Sequence, residues 1–324
     1  MIPTISLARF EAGELSPQEA QQLLEACEDH GFFLLNDHGC EDVITRTFAA
    51  SEQFFALPRE QKLTVYRDEL NPLGYYDREL TKQKRDLKEV YDFKAGGYIS
   101  KQPARQTRWP ASPPEFRATL TRFFEAFTDL SERTMVMIFG ALGMPLAQAQ
   151  TLLQNSFGEH HSSAARLNFY PAADPVPTAE RDTTTALGDM ALHHHTDPGA
   201  ITLLLQDNHG GLQAESQKHG WIDVAPQPGT IVVNIGDVLQ VWTNDRCTAG
   251  CHRVLPVQQA SGRYSIPFFY QPRYDAQVEP WVSNNSDVAR YESFSWREYI
   301  RGRVADNYTD LGQDDIQIAQ YRIA

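Results

Sequence analysis

Three consecutive histidines, His193, His194 and His195, are followed by Thr196 and Asp197. On an extended segment side chains alternate faces, so His195 and Asp197 point the same way. An imidazole and a carboxylate on one face, two residues apart, can chelate one cation. His193 shares that face and competes for the same role. A further histidine, His252, lies 57 positions after His195. Two histidines and a carboxylate form the facial ligand set of non-haem Fe(II) centres, which leaves positions open for a cosubstrate and dioxygen. The pair Cys247 and Cys251 has no matching second pair, so a structural zinc site is not expected.

These residues need strands to carry them. After about residue 155, short apolar runs alternate with Gly, Pro, Asn and Asp. Strands are expected at Ser163 to Tyr170, Ile201 to Gln206, Thr230 to Ile235, Val238 to Trp242, Gly250 to Val257 and Tyr264 to Tyr270. Many short strands with turn punctuation imply a sandwich or barrel. Asp197-Pro198-Gly199 reads as a tight turn that launches Ile201 to Gln206.

The N-terminal part is different in texture. Ile2 to Leu7 and Phe32 to Leu35 read as strands. Between them Ser16-Pro17-Gln18-Glu19 is a capping box with proline in the first turn, and Gly31 is a left-handed stop. A second helix covers about 41–57. The longest begins after Ser112-Pro113 and reaches about Leu142, with Phe116, Leu120, Phe123, Phe127, Leu130, Thr134 and Ile138 on one core-facing stripe. A last amphipathic helix is expected over Ser295 to Ala305.

The chain has 324 residues, 41% hydrophobic and 22% charged, the mix of a globular protein. No run of about 18 apolar residues is present, so no membrane span is expected. Its formal net charge of −13 repels phosphate backbones, which argues against nucleic acid as a partner. Four scattered cysteines and a start without a basic, apolar leader suggest a cytoplasmic protein. A monomer or weak homo-oligomer is expected.

Taken together, His195-Thr196-Asp197-Pro198-Gly199, Gly236-Asp237, His252-Arg253-Val254 and Arg263-Tyr264-Ser265 resemble the Fe(II)- and 2-oxoglutarate-dependent dioxygenases of the isopenicillin N synthase-like branch. Ile2 to Leu7 and Gly31-Phe32-Phe33 resemble that family's N-terminal region, so the likeness runs from about residue 2 to 305. The resemblance implies a mainly β fold with flanking helices: a double-stranded β-helix, or jelly roll, behind a helical N-terminal region. It divides the chain into an N-terminal dioxygenase region (1–110), connecting helices (111–155), the jelly-roll core (156–280) and a helical tail (281–324). It also implies that His195, Asp197 and His252 bind Fe(II), which favours His195 over His193. Arg263 and Ser265 match the pair that holds the far carboxylate of 2-oxoglutarate. A guanidinium forks onto a carboxylate, and a hydroxyl two residues on shares its strand face. Asn168-Phe169-Tyr170-Pro171 resembles the family's Asn-Tyr-Tyr-Pro segment, which implies that Asn168 lies near the iron and the keto-acid end and that Tyr170 adds a hydrogen bond to the far carboxylate.

The implied reaction oxidises, most simply hydroxylates, a small organic molecule with O2, releasing succinate and CO2. For the substrate, Tyr91, Phe93 and Phe269 match positions that cradle substrate in relatives. Arg166, two before Asn168, offers a cation to a substrate acid. Two other readings share the metal motif or the fold: an iron oxidase that does not use 2-oxoglutarate, and a non-catalytic binding module.

Overall fold

The computed structural model describes residues 2–81, 84–256, 261–281, 288–303 and 316–323. In chain order the elements are β1 (Thr4–Ser6), α1 (Leu7–Glu11), α2 (Pro17–Asp29), β2 (Phe32–Asn36), α3 (Glu41–Phe55), α4 (Arg59–Leu63), β3 (Gly74–Tyr76), β4 (Leu80–Thr81), β5 (Lys84–Arg85), β6 (Glu89–Phe93), α5 (Phe116–Ala141) and α6 (Leu146–Ser156). They continue with β7 (Ala164–Tyr170), α7 (Thr178–Arg181), β8 (Leu192–His195), β9 (Ile201–Gln206), β10 (Leu212–Ser216), β11 (Gly220–Asp223), β12 (Ile231–Ile235), α8 (Asp237–Trp242), β13 (His252–Val254), β14 (Arg263–Tyr270), β15 (Gln277–Val278), β16 (Phe294–Ser295) and α9 (Trp296–Arg303).

The large sheet has the order β1-β2-β12-β9-β14-β7-β6-β3. Only β1 and β2 pair in parallel; the other neighbours are antiparallel. A smaller antiparallel sheet, β11-β10-β13-β8, faces it. Side chains from both sheets line one cavity, which is the jelly-roll arrangement. Strands from the first hundred residues complete the large sheet at both ends, so the N-terminal region shares the core's hydrogen-bond ladder.

The main apolar core lies on the other face of the large sheet. There α5 supplies Phe116, Phe123, Phe124 and Phe127, all fully buried, and α3 supplies Phe54. Phe268 of β14 meets Phe124 edge-on with centroids 5.0 Å apart. Each buried ring of this kind removes about 150–250 Å² from water, so this layer supplies much of the drive for folding.

Ser16 caps α2 as the sequence predicts, accepting from the Glu19 amide while Glu19 accepts from the Ser16 amide. The run Val238 to Trp242, expected as a strand, is instead helix α8. Four of its residues, Val238, Leu239, Val241 and Trp242, are buried all round, and a short run without polar alternation carries no period to tell helix from strand. Gly236 precedes it for a steric reason: a Cβ there would lie 2.3 Å from the Gly199 carbonyl oxygen. That close approach lets the Asp237 amide donate to the Asp197 carbonyl at 2.8 Å, tying α8 to the metal-motif turn. The strand expected to reach Val257 ends at Val254, and residue 257 lies outside the described set; so do residues 304–305 of the last helix.

Candidate active site

His195 ends β8 and His252 starts β13, and the two pair directly across the ladder. Asp197 follows in the turn that opens β9. One ligand atom from each of the three lies within 4.8 Å of the others. His195 Nε2 is 3.6 Å and His252 Nε2 4.0 Å from Asp197 Oδ1. Each imidazole is oriented from behind: His195 Nδ1 donates to the His193 carbonyl and His252 Nδ1 to the Gly250 carbonyl, both at 2.9 Å. This pins the tautomer with the Nε2 lone pairs facing inward. Thr202 Oγ1 at 2.5 Å and Asn234 Nδ2 at 2.9 Å donate to Asp197 Oδ2. Oδ1 thus remains turned to the histidines.

The electrostatics suit a cation. Burial opposes charge on Asp197, yet the His252 and His195 rings beside it and the hydrogen bond from Thr202 hold its carboxyl well below the usual range. Burial and then the neighbouring His195 push His252 down to about 4, so its ring is neutral and ligating at neutral pH. Two imidazoles and one carboxylate fit a divalent metal of intermediate hardness.

His193 does not join them. Leu192 pairs with Val254 while His195 pairs with His252, so three steps along β8 oppose two along β13. This bulge breaks the strict alternation that placed His193 beside His195. Instead His193 Nδ1 hydrogen-bonds Asp86 at 3.0 Å.

The cavity next to the triad has a volume of about 340 Å³. Its floor is a set of facing rows: Arg263 opposite Tyr170, and Ser265 opposite Asn168. Arg263 is only 1% exposed. Its Nε donates to the Gly210 carbonyl at 2.7 Å, Nη2 reaches Gln206 Oε1 at 3.5 Å, and its guanidinium lies 5.0 Å from the Tyr170 ring centroid. Among the described residues its buried Nη1 has no hydrogen-bond partner. An unsatisfied charged donor in the interior costs free energy unless an acceptor arrives, and a carboxylate is the acceptor that matches its fork. Asn168 Nδ2 donates to Ser265 Oγ at 3.2 Å, holding that hydroxyl in the same row.

The structure corrects three expectations about the substrate end. Tyr91 and Phe93 do not face the cavity. They point into the core, where Tyr91 meets Phe54 at 4.9 Å and Phe93 meets Phe124 at 6.2 Å between centroids. The alternate residues of the same strand face the cavity: Asp92 is part of its wall, as is Lys94 just beyond the strand. Arg166 does line the cavity but is saturated. Its Nε donates to Asp92 at 2.7 Å and its Nη1 and Nη2 to Glu79 at 2.6 and 2.8 Å. Arg67 joins the same two carboxylates, and Lys88 bridges Glu79 and Asp86. Arg166 is therefore a structural cation. Phe269 does line the cavity, with Pro267 and Leu204.

Thr202, Asn234 and Lys94 are functional candidates that motif spacing missed. Asn234 carried a signal: it is a lone amide inside Ile231-Val232-Val233-Asn234-Ile235. Lys94 carried none.

Residues 161–272 match the family model described as the 2OG-Fe(II) oxygenase superfamily, and residues 2–115 match that of the non-haem dioxygenase N-terminal region in morphine synthesis. The chain is 33% identical over 308 residues to homoarginine-6-hydroxylase 2-ODD-233 of Oryza sativa subsp. japonica, covering 90% of each chain. The chain belongs to the 2OG-Fe(II) oxygenase superfamily. It is also 28% identical to gibberellin 20 oxidase 1 of Arabidopsis thaliana, over 92% of this chain and 78% of that one. Among solved structures it resembles that of a full-length Neurospora crassa protein in complex with alpha-KG and thymine, with a TM-score of 0.77 and 27% identity over 95% of this chain and 97% of that one. This oxygenase uses Fe(II) and 2-oxoglutarate and acts as a dioxygenase. Among its described residues, no helix is long and apolar enough to cross a membrane.

Proposed function

We propose that His195, Asp197 and His252 hold the Fe(II), that Arg263 and Ser265 hold the far carboxylate of 2-oxoglutarate, and that the enzyme hydroxylates a small organic molecule in the adjoining cavity. The observation that carries this is the buried Nη1 of Arg263, which has no hydrogen-bond partner among the described residues, in the same cavity as the triad. Bound iron and 2-oxoglutarate together supply the dioxygen chemistry: the keto acid becomes succinate and CO2, and the second oxygen atom enters the substrate C–H bond.

The chain's own residues do the rest. The pinned imidazoles and the Thr202- and Asn234-held carboxylate present three donors on one side and leave the other open. The Tyr170 ring lies against the Arg263 guanidinium and helps hold it in place. Asn168 positions the Ser265 hydroxyl. Leu192, Leu204, Val254 and Pro267 give the reaction space apolar walls, which limit water access during oxidation. Relatives with names such as homoarginine-6-hydroxylase and gibberellin 20 oxidase support a small-molecule substrate.

The test is anaerobic titration of the apoprotein with Fe(II) and then 2-oxoglutarate, followed by the weak visible band of the keto-acid chelate, and succinate formation in air. Expected are one iron per chain and a band that saturates with 2-oxoglutarate. Iron uptake without the band would overturn the Arg263 and Ser265 assignment; no iron uptake would overturn the whole reading.

A further inference from the structure

The charges around the cavity balance almost everywhere. Arg67, Arg166 and Lys88 are offset by Glu79, Asp92 and Asp86. Arg303, from α9, faces Asp237 at 3.8 Å and donates to the Thr196 carbonyl at 2.7 Å. Under the proposed function, ferrous iron and Arg263 are offset by Asp197 and the dianionic keto acid. One cation is left over. Lys94, in the cavity wall, gives its ammonium only neutral partners among the described residues: the Ser162 carbonyl, and the Tyr274 hydroxyl at 3.5 Å. The Tyr274 ring lies 5.4 Å from the same nitrogen. An ammonium withdrawn from water without a counter-ion is costly, and an anion in the cavity relieves that cost.

Position decides what kind of anion. Lys94 follows Phe93, which pairs with Ala165, and Ala164 pairs with Phe269. Lys94 therefore sits beside the Phe269 row, six residues along β14 from Arg263. At about 3.3 Å per residue these rows are roughly 20 Å apart. Lys94 is thus at the opposite end of the floor from the keto-acid anchor, with the apolar Leu204 and Pro267 row between, while Asp197, held by Thr202 opposite Phe269, lies across the sheet in the same row as Lys94. The Glu79 and Asp92 carboxylates already accept from Arg67, Arg166 and Lys88, so among the described residues the cavity offers no free acid to a cationic substrate end.

We infer that Lys94 is a specificity-determining residue that anchors the carboxylate of a small monoanionic substrate, whose body lies along Phe269 and Leu204 toward the triad. This rests on the proposed function and adds the substrate class to it. Burial alone pushes the ammonium down to about 8, so it is still mostly charged at neutral pH, and a bound carboxylate would restore it.

The test uses the full chain loaded with Fe(II) and 2-oxoglutarate under anaerobic conditions, reading the shift of the visible band. The probes are matched pairs: phenylacetate with phenylacetamide, and cyclohexanecarboxylate with its carboxamide. We expect at least one acid to shift the band at a concentration roughly ten- to a hundredfold below its amide, the range for a charge-assisted hydrogen bond. Lys94→Met should abolish that preference and Lys94→Arg should keep part of it. Equal response to acid and amide in the unaltered protein overturns the inference without any variant, as does no acid acting at millimolar concentration. An acid preference that survives Lys94→Met overturns it too. Failure of the band to form at all removes the underlying reading and this inference with it; a band that forms but does not discriminate removes this inference alone.

Discussion

The two ends of the cavity hold charge in opposite ways. At one end Arg263 is buried with part of its guanidinium unsatisfied and the triad turns three donors toward a common point. Farther along, Arg67 and Lys88 are nearly as enclosed and Arg166 is half-buried, yet the Glu79 and Asp92 carboxylates they face are already shared among them. The difference teaches that a charged residue in a pocket wall is not by that fact a ligand. Donors left without acceptors mark the places where a ligand completes the structure. Donors matched within the chain mark scaffold. Arg166 looks like a substrate anchor by position and is scaffold by pairing; Lys94 looks ordinary in sequence and, among the described residues, has no carboxylate partner.

This contrast can be broken by substitution. Asp197→Ala should have the largest effect: it removes one donor of three, and succinate formation should fall by well over the roughly 10- to 100-fold typical of outer hydrogen-bond partners. Iron content measured on the purified variant checks it, and a fully loaded variant would contradict the assignment. Arg166→Met should act on stability instead. It leaves Glu79 and Asp92 buried with fewer partners, so unfolding by urea should show a loss of about 3–5 kcal/mol. A variant with unchanged stability and selectively weakened substrate binding would reverse our reading of that cluster.

Arg263→Gln should do the converse, with the folded state kept and the apparent affinity for 2-oxoglutarate lowered roughly ten- to a hundredfold, as for loss of a charge-assisted hydrogen bond. A last effect, seen only in acid, concerns His161, away from the cavity and stacked beside Phe124 with centroids 6.2 Å apart. Burial, with the nearby Lys94 cation, pushes it down to about 4. Between its unfolded value near 6.5 and this folded value the unfolded chain binds more protons, so stability falls as pH drops through that window. His161→Phe should remove up to about 3 kcal/mol of that acid-induced loss, seen as a flatter plot of stability against pH from about 6.5 to 4.

Much of the molecule is readable in one dimension because its determinants are local. The Ser16 and Glu19 capping box, the Gly31 stop, the phenylalanine stripe of α5 and the run Ile201 to Gln206 each carry their own period or punctuation. The motifs around His195, Asp197, His252 and Arg263 are also local, since each is a pair of residues two apart or a residue with its turn. What fails is parity and partnership. Tyr91 and Phe93 alternate with Asp92 as any strand must, but which set faces the cavity depends on which face α5 and α3 cover. His193 shares the parity of His195 until a bulge in β8 ends the alternation.

The sequence by itself determined the ligand types, their spacing and the elements that carry them, because hydrogen bonding and hydrophobic period act over a few residues. Only the tertiary structure decided which charges are already matched. Arg166 meets Asp92 and Glu79 across 74 and 87 residues of chain, and no local rule specifies such pairings. That Lys94 meets no such acid among the described residues is a property of three-dimensional packing, and so is the chemical character of the space it faces.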